Sequence, residues 1–167
     1  MSKDTISKDK IRKRGNFLSM LNEIEREKKM AEHLFYVSLK YTKTGDVILN
    51  LIERWEKMID KCIELLLKRA KKMKAIREIP IAPKARELAV RDAYKDELVQ
   101  EVMDMYSFFR KLPTLEKIRE HEFRKNVAIR VLSSEGEIEI NIDKLKEWNE
   151  SLNSFINYVR HIIQKKG

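Results

Sequence analysis

The chain has 167 residues, 43% of them hydrophobic and 38% charged, with a formal charge of +9. That is the length of one domain with a core that needs no staples, too apolar for a disordered chain and too charged for a membrane protein. One cysteine, Cys62, excludes an internal disulfide and predicts a reducing, cytoplasmic setting.

The first element is a basic segment. Met1–Arg14 holds six Lys/Arg against two Asp, a local charge of +4. It lacks helical periodicity, so residues 1–15 read as a flexible arm ahead of a single domain, 16–167. No apolar run follows that would make a secretory signal or a membrane span. From Phe17 to about Thr42, the positions Phe17, Leu21, Ile24, Ala31, Leu34, Phe35, Ser38 and Tyr41 recur at helical spacing.

The second helix is the most regular. Asp46 is a natural N-cap, and Ile48, Leu51, Ile52, Trp55, Ile59, Cys62, Ile63, Leu66, Ala70 and Met73 follow a 3.6-residue repeat to about Ile76. Cys62 reads as a small core residue on this stripe. The last turns carry Lys68, Arg69, Lys71, Lys72, Lys74 and Arg77 with no acid, a charge of +6. Cations at a helix C-terminus also suit the dipole, so this cluster has a structural role available as well.

Pro80 and Pro83 end that helix and open a third, with Pro83 or Lys84 in its first turn and an apolar stripe from Leu88 to Leu112, running to Pro113. Thr114 is placed to cap a short helix over Leu115–Phe123. The period then changes to two. Val127, Ile129 and Val131, then Ile138, Ile140 and Ile142, predict a β-hairpin at about 127–142 around a four-residue loop, Ser133–Gly136. Pairing Leu132 with Glu137 puts all six apolar side chains on one face and sets Arg130 opposite Glu139. Asp143 caps a final helix whose stripe runs from Leu145 to Ile163. The expected fold is mainly α, a bundle of four to five helices with one β-hairpin inserted before the C-terminal helix.

Catalytic signatures are scarce. His33, His121 and His161 have no metal-ligand spacing, and one cysteine makes no thiolate cluster. The glycines are too scattered for a phosphate cradle, and no serine sits in a nucleophile elbow. No cofactor or metal is expected. Most aromatics lie on apolar stripes and read as core; the strands expose none, so the hairpin does not read as a base-stacking surface. Arg119, Arg124 and Lys125, within Arg119–Asn126, are a second candidate phosphate-binding group beside the Lys68–Arg77 cluster.

The helical layout across Phe17–Ile163, the basic character and the Arg-rich connection before the last helix resemble the HEPN-like families, small helical bundles of prokaryotes often paired with a nucleotidyltransferase. Their active members are RNases with an Arg followed, after four to six residues, by a His. In this chain Arg26 and His33 alone fit that spacing, on the first helix. Arg124 is followed at those positions by Ile129, Arg130 and Val131, and Arg119 by Arg124, Lys125 and Asn126. The resemblance therefore implies a non-nucleolytic relative.

The leading functional expectation is a non-enzymatic module that binds RNA, DNA or another polyanion through its basic clusters. The alternatives are a structural or regulatory interaction protein, as a homodimer or with a nucleotidyltransferase-like partner, and a HEPN-type RNase using Arg26 and His33. The Lys- and Glu-rich, Gln-poor composition suits a thermophile.

Overall fold

A computed structural model describes the backbone of residues 3–165 and the side chains of residues 16–165. The first rod is α1 (Lys3–His33), which passes through a π-helical turn (Leu34–Ser38) into α2 (Leu39–Tyr41). Its backbone is helical from Lys3, within the segment read as an arm, whose side chains lie outside the described residues.

Helix α3 (Gly45–Lys72) is the centre of the bundle. Thr44, not Asp46, is its N-cap, its hydroxyl accepting the Val47 N–H at 3.4 Å; Asp46 sits in the first turn, where a carboxylate suits the dipole. Apolar side chains cover more than one of its faces, because α1, α5 and α6 all pack against it. Trp55 stacks on Phe109, and Phe109 meets Trp148 edge-on at 5.1 Å, joining α3, α5 and α6 through one aromatic cluster. Cys62 is buried here, and burial pushes its thiol up to about 12, which keeps it an unreactive core residue.

The third helix is in fact two, α4 (Pro83–Ala93) and α5 (Glu97–Lys111). Pro83 opens α4 at its first turn as expected. The break comes where Asp96 can cap: its carboxylate accepts the Leu98 N–H at 2.9 Å. Gln100 then donates to the Arg91 and Tyr94 carbonyls that the end of α4 leaves open, and the Tyr94 hydroxyl donates to the Leu66 carbonyl at 2.7 Å. A local cap with complete hydrogen bonding prevails over the apolar periodicity that runs through both halves.

Leu112–Thr114 forms a 3₁₀ turn, and the short helix expected over Leu115–Phe123 is instead a strand, β1 (Glu116–Glu120). It pairs antiparallel with β2 (Ala128–Ser133), which pairs with β3 (Gly136–Asn141), so the hairpin belongs to a three-stranded sheet of order β1-β2-β3. The hairpin register is the one read from the alternation: Leu132 with Glu137, Val131 with Ile138, Arg130 with Glu139 and Ile129 with Ile140. Ser133 pairs with Gly136, so the connection is two residues rather than four, and Gly136 takes a φ of 122° there. The expected Val127–Ile142 pair is absent because Ile142 begins the last helix. Arg130 spans the polar face, reaching Glu120 at 2.6 Å and Glu137 at 3.5 Å rather than its direct neighbour Glu139.

The apolar face, with Val127, Ile129, Val131 and Ile140 fully buried, packs on the helices. Helix α6 (Ile142–Gln164) starts from Asn141, whose side chain accepts the Lys144 N–H at 2.8 Å; Asp143, the cap read from the sequence, is in its first turn. The chain is thus a mainly helical bundle of five principal helices, α1, α3, α4, α5 and α6, with a small antiparallel sheet before the last.

Among the described residues, one charged group lies wholly inside. Glu87 on α4 is 0% exposed, and its carboxylate faces Arg91 at 3.2 Å, Lys84 at 3.3 Å and Arg110 of α5 at 3.7 Å. Arg91 also reaches Asp104 at 2.7 Å. This ion cluster locks α4 to α5 where the loop between them is short.

Candidate nucleic-acid interface

Helix α1 runs antiparallel to α3. Arg54 pairs with Glu27 at 3.2 Å and Lys61 with Glu23 at 3.4 Å, and at the far end the Lys72 ammonium lies 5.2 Å above the Phe17 ring. Phe17 directly follows the basic N-terminal segment, and Lys72 is the last residue of α3. The two stretches that hold the net charge of the chain therefore enter the described structure at the same end of the bundle.

At that end α3 stops at Lys72, four residues before the expected Ile76. The Ala75 N–H bonds to the Ala70 carbonyl and the Lys74 N–H to the Lys71 carbonyl, the crossed pair of a Schellman turn. The left-handed position of that turn usually holds glycine; here Lys74 occupies it with a φ of 62°. Of the six cations predicted in this region, only Lys68, Arg69, Lys71 and Lys72 are on the helix. Lys74 and Arg77 leave with the turn.

Their environments differ. Lys68 is exposed and pairs with Glu64 at 3.3 Å. Arg69 is half-buried and turned toward the Tyr94 hydroxyl; burial raises that phenol above its ordinary value, and the guanidinium opposes the rise. Lys72 covers Phe17. Lys71, Lys74 and Arg77 are exposed and have no carboxylate partner among the described residues. These three are the most available to an incoming phosphate. The backbone is helical up to Lys72, so the helix sets where Lys68, Arg69, Lys71 and Lys72 project.

The second predicted group does not join the first. Arg119 lies on β1 and pairs with Asp46 at 2.7 Å, at the start of α3. Its stem passes so close to Gly45 that a Cβ there would meet it at 3.1 Å. Glu122 reaches the same point and accepts the Gly45 N–H at 3.1 Å. Arg119 therefore packs its stem against the start of α3 and shares its charge with Asp46, with 46% of its side chain still exposed. Arg124 and Lys125 are exposed in the connection after β1. The 28 residues of α3 separate the two groups by about 40 Å at 1.5 Å per residue.

Arg26 and His33, which carry the HEPN-like spacing, are both exposed on α1. Seven residues is close to two turns, so they share one face about 10 Å apart along the axis. Among the described residues no three His, Cys, Asp or Glu gather as a metal site, and no helix is long and apolar enough to cross a membrane. No family model matches the chain, and neither a characterised protein nor a solved structure is detectably similar to it.

Proposed function

We propose that this protein is a non-enzymatic, cytoplasmic nucleic-acid-binding module that holds RNA phosphates at the C-terminal end of α3. The observation that carries the reading is the contact of Lys72 with Phe17, which brings the Lys68–Arg77 cluster to the base of the basic N-terminal segment. Two cationic stretches at one end concentrate a field that neither would provide alone. Binding there is to backbone phosphate, without base readout, and is therefore steeply weakened by salt.

Lys74 supplies a test that separates stability from binding. A lysine in the left-handed position is strained where glycine is not, so Lys74→Gly stabilises the fold by roughly 0.5–1 kcal/mol in urea unfolding. The same substitution removes a cation, so the slope of log affinity against log salt becomes shallower by about 0.7–0.9. Opposite signs in the two measurements support a lysine kept for its charge. Unchanged binding would remove Lys74 from the interface.

A second reading follows from the shared exposed face of Arg26 and His33. On that reading the protein is an RNase of the HEPN-like type. It predicts cleavage of single-stranded RNA by the native chain that disappears in His33→Ala; intact RNA after prolonged incubation with the native chain rejects it.

A further inference from the structure

The opposite end of the bundle holds a feature that the phosphate-binding reading does not use. In the connection after β1, His121 and Phe123 adopt left-handed backbone, with φ of 54° and 66°. Such conformations are uncommon for residues other than glycine, and most of all for a bulky aromatic. Part of the strain has a structural reason, since it delivers the Glu122 carboxylate to the Gly45 N–H at the start of α3. That reason does not extend to the side chain that follows. Phe123 is 73% exposed, on a backbone whose N–H is pinned to the Lys43 carbonyl.

Tyr41 is 79% exposed and stands two residues from Lys43, at most about 7.6 Å away between Cα atoms. Two large aromatic side chains thus lie in water, Tyr41 at the end of α2 and Phe123 in the connection after β1, and a backbone hydrogen bond from Phe123 to Lys43 fastens the two segments together. Around them are Lys40, Lys43, Arg124 and Lys125, none paired with a carboxylate among the described residues. The nearby acids are already engaged: Asp46 and Glu122 with Arg119, and Glu120 with Arg130.

Exposed aromatic faces interleaved with cations are what an unpaired nucleotide requires, since bases stack on the rings while phosphates meet the charges. A duplex has its bases stacked internally and offers a ring nothing. From this arrangement we infer that Phe123 and Tyr41 form a base-stacking platform for single-stranded nucleic acid, a second site about 40 Å from the α3 terminus. The inference rests on the nucleic-acid reading above and narrows it to unpaired strands. A strand that engages both ends would lie along the bundle.

Three probes test it: an oligouridylate of about 20 nucleotides, a duplex of the same length, and inorganic polyphosphate, which carries the charge without bases. Each is titrated by polarisation or competition against the native chain, Phe123→Ala, Tyr41→Ala and Phe123→Tyr. Both alanine variants are expected to weaken oligouridylate binding by about fivefold to a hundredfold, with duplex and polyphosphate binding unchanged. Phe123→Tyr keeps a ring and keeps the affinity. Both side chains lie largely in solvent, so the variants fold as the native chain does. Oligouridylate affinity that is unchanged in both alanine variants overturns the platform, and so does an equal loss for polyphosphate. The broader reading fails separately, if the native chain binds none of the three probes.

Discussion

Replacing Lys68, Arg69, Lys71, Lys72, Lys74 and Arg77 together by glutamine is expected to lower nucleic-acid affinity by about a hundredfold to a thousandfold at about 50 mM salt. The magnitude follows from counterion release. Each phosphate contact contributes roughly 0.7–0.9 to the slope of log affinity against log salt, so losing several flattens the dependence as well as shifting it. Arg69 and Lys72 also touch Tyr94 and Phe17, so part of any effect of the full variant is structural. The triple variant of Lys71, Lys74 and Arg77 touches no carboxylate among the described residues and isolates the electrostatic part. It should unfold no earlier than the native protein in urea while losing much of the affinity. If both variants bind as the native chain does, the α3 terminus is not the interface.

The second large effect concerns stability. Glu87→Ala is expected to destabilise the fold by about 3 kcal/mol, because removing one partner of a buried ion cluster leaves the others uncompensated. Arg91 still reaches Asp104 at 2.7 Å, and Arg110 is partly solvated, so the loss falls at the lower end of what such changes produce. The partners rank by burial. Arg91→Met should destabilise clearly more than Lys84→Met, because the Arg91 side chain is 24% exposed and that of Lys84 63%. Equal, small effects in chemical denaturation for Glu87→Ala and Lys84→Met would show that the carboxylate contributes no more than a surface pair.

Which parts of the fold were legible in the sequence follows from how locally each was determined. The hairpin register could be read because Ile129 and Val131 alternate with the residues between them as Ile138 and Ile140 do, and a slip of one residue would set the apolar side chains of one strand on the face opposite those of the other. The stripe of α3 could be read because Ile48 through Ala70 repeat over about six turns. Helix ends were less accessible. Thr44 and Asn141 prevailed over Asp46 and Asp143, each by two residues, since several capping side chains stand close together and only the backbone path selects one. The division of α4 from α5 depends on Asp96, Gln100 and Tyr94 acting together across the break.

Strand β1 was illegible for a different reason. Glu116-Lys117-Ile118-Arg119-Glu120 has one apolar residue and no alternation; it is a strand because β2 offers it an edge. Misreading it as helix hid the connection that follows, and with it the exposure of Phe123. Tyr41 fell on the apolar stripe of the first helix yet stands in solvent, because it lies in the last turn, beyond the helices that cover that stripe. Glu87 gave no signal, since a glutamate three residues after a lysine and four before an arginine reads as an exposed salt-bridging face. The candidate cations were legible as residue types, but their separation was not. Only the placement of Arg119 against Gly45 and of Lys72 against Phe17 shows that they occupy opposite ends.

The central claim, that the α3 terminus holds nucleic-acid phosphates, is tested most directly by the salt dependence of binding in the native chain. The measurement is fluorescence polarisation of a labelled single-stranded RNA of about 20 nucleotides between about 50 and 200 mM salt. The predicted result is binding at the low end and a log–log slope steeper than about −3, as expected for four or more phosphate contacts on a single strand. Absence of binding at about 50 mM salt, or an affinity independent of salt across that range, would contradict the account.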